Sequence, residues 1–86
     1  MKENQIITIE ELINNYGKMV SCIAKRMLSN KELVRDAAQE VWIEVMNSLP
    51  SFRGESKVST WIYTIARRTI IRYARKEWNY KRSCMA

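Results

Sequence analysis

Residues 52–68 read FRGESKVSTWIYTIARR, from Phe52 to Arg68. The stretch starts as a loop whose only flexible point is Gly54 and turns into a helix. Val58, Ile62, Ile65, Ala66, Thr69, Ile70 and Tyr73 recur at helical spacing and mark one side for burial. Thr60, Thr64, Arg67, Arg68, Ile71 and Arg75 fall on the other side. Ser56 stands where an N-cap is expected, with Ser59 three residues on. The spacing predicts a helix over about 57–78, and 79–86 reads as a flexible tail or the start of a linker.

Two more helices precede it. Thr8-Ile9-Glu10-Glu11 is a capping box ahead of Ile9, Leu12, Ile13, Tyr16, Val20, Ile23, Ala24, Met27 and Leu28, all on one helical face. This helix is expected over about 8–28. Gly17 within it costs about 1 kcal/mol against alanine and suggests the close approach of a neighbour. Ser29-Asn30-Lys31-Glu32 opens a second helix over about 31–49, with Val34, Ala37, Ala38, Val41, Trp42, Val45 and Leu49 facing inward and Pro50 ending it. No stretch alternates as a strand would. The expected fold is all-α, a compact three-helix bundle over residues 1–78.

Composition narrows the function. The chain has 86 residues, enough for one small domain, and 47% of them are apolar, enough to form a core rather than a disordered chain. No apolar run approaches the roughly 20 residues of a membrane span, and residues 1–5 lack the apolar segment of a signal peptide. A cytoplasmic protein is expected. Without any histidine, a zinc site or Cys–His nucleophile has no basis; no cofactor and no metal are expected. Cys22 reads as a small core hydrophobe and Cys84 as a free thiol in the tail. A single Gly54 is not a phosphate-cradling loop, and no catalytic constellation emerges. The chain reads as a binding module, not an enzyme.

Two surfaces remain beyond the core. The net charge of +6 is uneven: residues 1–52 carry six basic and seven acidic side chains, residues 53–86 nine basic and two acidic. On the second helix the outer stripe holds Glu32, Asp36, Gln39, Glu40, Ile43 and Asn47. It reads either as a solvated acidic face with one stray isoleucine or as a docking face with an apolar anchor. On the third, the charged residues from Lys57 to Lys81 are seven basic and one acidic, Glu77, with Trp61, Tyr63, Tyr73, Trp78 and Tyr80 interleaved. Cations for phosphates and aromatics for stacking suit a nucleic acid. A solvated face or a helix lying on anionic membrane are the alternatives.

Three blocks then resemble a known family. They are Asp36-Ala37-Ala38-Gln39-Glu40-Val41-Trp42-Ile43-Glu44-Val45-Met46, then Leu49-Pro50-Ser51-Phe52-Arg53-Gly54-Glu55-Ser56, then Thr60-Trp61-Ile62-Tyr63-Thr64-Ile65-Ala66-Arg67. In this order and spacing they resemble region two of a bacterial RNA polymerase sigma factor of the extracytoplasmic-function type, over about residues 8–78. The resemblance implies a three-helix region-two fold and a transcription initiation module that binds core polymerase and recognises and helps melt the promoter −10 element. Asp36, Gln39, Glu40, Ile43 and Asn47 match positions that dock on the clamp helices of the β′ subunit. Phe52, Arg53, Gly54, Lys57, Trp61, Tyr63, Thr64, Arg67, Arg68, Ile71 and Arg72 match positions on the −10 element and its non-template strand, with one flipped base held by the loop. Arg75 joins them on the same basic face.

The match has departures. Arg68 stands where the family often has asparagine, and Glu44 where it is often basic. The family's second DNA-binding domain, a helix-turn-helix for the −35 element, is not in the chain. The expectation is an excised domain or a stand-alone region-two co-sigma subunit working with a separate region-four protein. An anti-sigma factor is a further partner of such proteins; a membrane is not. A clamp-binding module without a direct DNA role is the competing function.

Overall fold

The computed structural model describes residues 8–85, with side chains described to Lys81. Three helices follow one another: α1 over Ile9–Met27, α2 over Lys31–Ser48 and α3 over Val58–Met85. A single 3-10 turn, Leu49–Ser51, follows α2, and no strand occurs among the described residues. The all-α three-helix architecture is as the periodicity predicts.

Each start has a local cause. The Thr8 hydroxyl accepts the Glu11 N–H at 3.2 Å and caps α1. Asn30 caps α2, its side-chain oxygen accepting the N–H groups of Glu32 at 2.8 Å and Leu33 at 3.2 Å. At α3 the expectation fails by one residue. The helix begins at Val58, and the Lys57 carbonyl accepts the Trp61 N–H at 3.0 Å, so Lys57 rather than Ser56 takes the N-cap position. Pro50 lies in the 3-10 turn, where its missing N–H disturbs no α-helical bond.

The core is a single cluster at the centre of the bundle, where each helix packs on the other two. Leu12, Val20, Ala24 and Leu28 meet Ala37, Val41 and Val45 and the Ile62, Ile65, Ala66 and Ile70 stripe of α3. Thr69 is buried beside them. The i, i+3, i+4 pattern therefore identifies the core, and two α1 expectations fail, one read from the pattern and one from residue type. Ile13 is exposed, and Cys22 is exposed rather than a core residue. Cys22 is two residues from both Val20 and Ala24, so about 200° of helical rotation turns it away from them. Gly17 has no neighbour within 4 Å of where a Cβ would stand, so no close approach explains it. The Cys84 side chain lies outside the described ones.

The third helix does not stop near Trp78 but continues to Met85. No glycine or proline follows Gly54, so nothing in the sequence interrupts it. Tertiary contact holds its distal part. Glu77, only 9% exposed, accepts the N–H groups of Ser29 at 3.1 Å and Asn30 at 2.8 Å and the Ser29 hydroxyl at 3.1 Å. Lys81 donates to the same Ser29 oxygen at 2.6 Å. At about 1.5 Å per residue, α3 spans about 42 Å and carries one end at the 52–57 loop and the other at the α1–α2 turn.

Candidate nucleic-acid interface and docking face

The loop between the 3-10 turn and α3 is short and held at both ends. The Phe52 N–H donates to the Leu49 carbonyl at 3.0 Å. The Phe52 ring stacks on Trp61 with centroids 4.4 Å apart and planes 25° from parallel. An aromatic pair in this geometry contributes about 0.5–1.5 kcal/mol beyond burial, so it pins the loop to the first turn of α3. Gly54 turns the chain between them at φ +76°. Open space surrounds it, so a side chain there meets only the backbone cost of a left-handed residue, about 1–2 kcal/mol.

This arrangement leaves a hollow of about 230 Å³. Phe52 and Trp61 supply aromatic wall, Arg53 a cation, and Ser48, Ser51 and Ser56 hydroxyls. Glu55 also lines it. The contents are those a planar, polar group needs: a ring to lie against and donors and acceptors around its edge. Of the residues singled out in the sequence, Phe52, Arg53 and Trp61 come together here, and Gly54 does not line the hollow. The serines were missed; their signal is faint, small hydroxyl residues flanking Pro50 and Gly54.

Along the outer face of α3, Tyr63, Thr64, Arg67, Arg68 and Ile71 line a second, shallow hollow of about 420 Å³. Tyr63, Thr64, Arg67 and Arg68 are exposed, and Ile71 is half-buried. The Thr64 hydroxyl donates to the Thr60 carbonyl at 3.0 Å, so its one proton is already used within the helix. Among the described residues neither Arg67 nor Arg68 has a carboxylate partner. Gly54 and Lys57 are exposed within the loop, and Arg75 is exposed further along α3.

Arg72 departs from this pattern. Its guanidinium sits 3.4 Å from Glu44 on α2. With the two side chains 54% and 34% exposed, the pair is worth at most about 1 kcal/mol. It nonetheless gives Glu44 an intramolecular partner and draws Arg72 toward α2.

The outer face of α2 keeps Asp36, Gln39, Ile43 and Asn47 exposed, with Glu40 half-buried. Ile43 is 46% exposed, and Met46, which the sequence reading did not single out, is 51% exposed. Three residues apart on a helix, they form an apolar patch within the polar stripe. The signal for Met46 was its i+3 relation to Ile43.

No helix among the described residues is long and apolar enough to cross a membrane, and no group of three metal-ligating side chains occurs among them.

Comparison with known proteins gives this geometry a family. Residues 12–80 match the Sigma-70 region 2 model. RNA polymerase sigma factor YlaC of Bacillus subtilis is 35% identical over 74 residues, covering 86% of this chain and 43% of the relative. ECF RNA polymerase sigma factor SigX of the same species is 34% identical, covering 81% of this chain and 36% of the relative. The ECF RNA polymerase sigma-E factor of Haemophilus influenzae is 37% identical, covering 72% and 32%. The chain thus spans about a third to two fifths of the length of these relatives. No solved structure matches. Sigma factors are initiation factors without enzymatic activity. With the match covering most of the three helices and the loop between α2 and α3, the chain belongs to the Sigma-70 region 2 family, on the side of the extracytoplasmic-function sigma factors.

Proposed function

We propose that the chain docks on core RNA polymerase through the outer face of α2 and holds the unpaired non-template strand of a promoter −10 element with the 52–57 loop and the start of α3. The carrying observation is the hollow lined by Phe52, Arg53 and Trp61, with Thr64 and Arg68 of the basic shelf three and seven positions beyond Trp61 and so on the same side of α3. A flipped base fits the chemistry of the first, which offers a ring to stack on and a polar rim. The second offers cations to the backbone that leads into it. Unstacking a base costs a few kcal/mol, so a stacked, preformed pocket favours the open strand over the duplex. The domain breaks no bond; it binds one state of the DNA better than the other.

On α2, Ile43 and Met46 provide an apolar anchor, and Asp36, Gln39, Glu40 and Asn47 a polar surround that suits the β′ clamp helices. The Glu44–Arg72 pair takes one carboxylate away from that contact.

The docking face is tested by binding of the 86-residue chain to core polymerase. Gln39→Ala with Ile43→Ala should weaken it at least tenfold while circular dichroism stays unchanged. Unchanged affinity would remove α2 from the interface. A chain that docks normally but holds no single strand would instead be a clamp-occupying module.

A further inference from the structure

The end of α3 remote from the loop carries a hollow that neither surface above uses. It has a volume of about 570 Å³ and lies between α3 and the α1–α2 turn. Leu33 and Tyr80 give it an apolar lining, and Tyr80 is 71% exposed. Ser29 forms a wall shared with a second hollow of about 410 Å³, lined by Leu28 and Val34 on the other side of the turn.

The edges of both hollows are basic. Lys76 and Lys81 border the first, Lys25 and Lys31 the second. Glu77 is the one carboxylate among the lining residues, and it is turned inward onto the Ser29 and Asn30 N–H groups. Lys76 rests 5.4 Å from the centre of the Tyr73 ring, which leaves its charge unpaired, whereas Lys81 donates to the Ser29 hydroxyl and its charge partly offsets that of Glu77. An apolar floor is thus bordered by four ammonium groups against one inward-turned carboxylate, a net positive edge.

We propose that this double hollow is a docking site for an acidic amphipathic protein segment. One aliphatic or aromatic side chain of the partner seats on Leu33 and Tyr80, a second on Leu28 and Val34, and its carboxylates face the lysines. Apolar anchors with a complementary charged rim are the ordinary construction of such contacts. A nucleic acid would answer the lysines, but it brings no aliphatic group to cover Leu33 and Val34. Tyr80 lies about 28 Å along α3 from Trp61, so the partner and an occupied loop do not compete for the same surface. The proposal rests on the two hollows and their lysines, not on the reading of the loop.

The test is an NMR titration of the ¹⁵N-labelled 86-residue chain with a synthetic 16-residue amphipathic peptide carrying Glu on its polar face and Leu and Phe on the other. Controls are the same peptide with Lys for every Glu, and a single-stranded oligonucleotide. Shifts are expected at Ser29, Leu33 and Tyr80 with the Glu peptide alone. Lys31→Glu with Lys76→Glu should weaken binding at least tenfold, and Tyr80→Ser several-fold, at unchanged helicity. Equal binding of the Lys peptide would overturn the proposal. So would shifts confined to Arg67–Ile71, the oligonucleotide shifting the Leu33 set in place of the peptide, or no shift with the Glu peptide at millimolar concentration.

Discussion

The two ends of α3 carry similar side chains and use them differently. Near the loop, Arg53, Lys57, Arg67 and Arg68 are exposed and have no carboxylate partner among the described residues. Further along, Arg72 pairs with Glu44, Lys76 lies against Tyr73, and Lys81 bonds to Ser29 beside the inward-turned Glu77. The aromatics divide likewise: Trp61 is half-buried and stacked on Phe52, whereas Trp78 and Tyr80 stand out from the helix. A count of positive charge treats both ends as one basic surface. The structure separates a proximal part whose cations are exposed and without a carboxylate partner among the described residues from a distal part whose polar groups make contacts within the bundle.

The largest effect expected from breaking this division is at the proximal end. Arg67→Ala with Arg68→Ala should weaken binding of a −10 non-template oligonucleotide roughly tenfold to a hundredfold near 0.1 M salt. With about five phosphate contacts the intact chain should show a log–log salt slope of roughly −3.5, and the double variant about −2.1. Fluorescence anisotropy across a salt series measures both. The same loss from Arg75→Ala alone would erase the distinction.

Glu77 tests the distal end. Its carboxyl is held below its ordinary value of 4.5, first by the Ser29 N–H, then by the Asn30 N–H, the Ser29 hydroxyl and the Lys81 charge, against an opposing push from burial. A depressed carboxylate contributes stability that is fully present above its unfolded-state pKa and is lost as pH falls through the folded-state value. Glu77→Gln should therefore lower the melting temperature at pH 7, and the gap to the parent chain should close as pH is lowered from about 4.5. Circular dichroism melts at several pH values read this directly. A gap that persists unchanged in acid would deny the carboxylate its structural part.

The smallest effect belongs to the boundary between the two ends. A double-mutant cycle on Glu44→Ala and Arg72→Ala should give a coupling of at most about 1 kcal/mol in urea unfolding, falling with salt. Single-strand affinity should respond less to Arg72→Ala than to the loss of either Arg67 or Arg68.

Much of this was legible in the sequence. Helical spacing identified the core stripe of α3 residue by residue, because Ile62, Ile65, Ala66, Thr69 and Ile70 can share only one face of a helix. The resemblance carried by three motif blocks supplied the family. What failed was local or long-range. Ser56 lost the cap because a helix start is fixed by which carbonyl takes the first bond, a choice between adjacent residues. Cys22 was assigned by residue type against its own helical phase. The distal part of α3 was cut short because its anchor joins Glu77 to Ser29 across 48 residues. Yet Glu77 falls seven and eight positions beyond Ile70 and Thr69, on the buried face. A lone acid at that phase of a basic helix was the readable sign.

The central claim is that the pinned loop and the proximal cations hold an opened strand. Its most direct test is promoter opening followed by a fluorescent base analogue in the −10 element, with core polymerase and the 86-residue chain. The intact chain should raise the signal. Trp61→Ala with Arg53→Ala should reduce it at least tenfold while core polymerase binding and helicity stay unchanged. Opening at the parent level by that double variant would contradict the account.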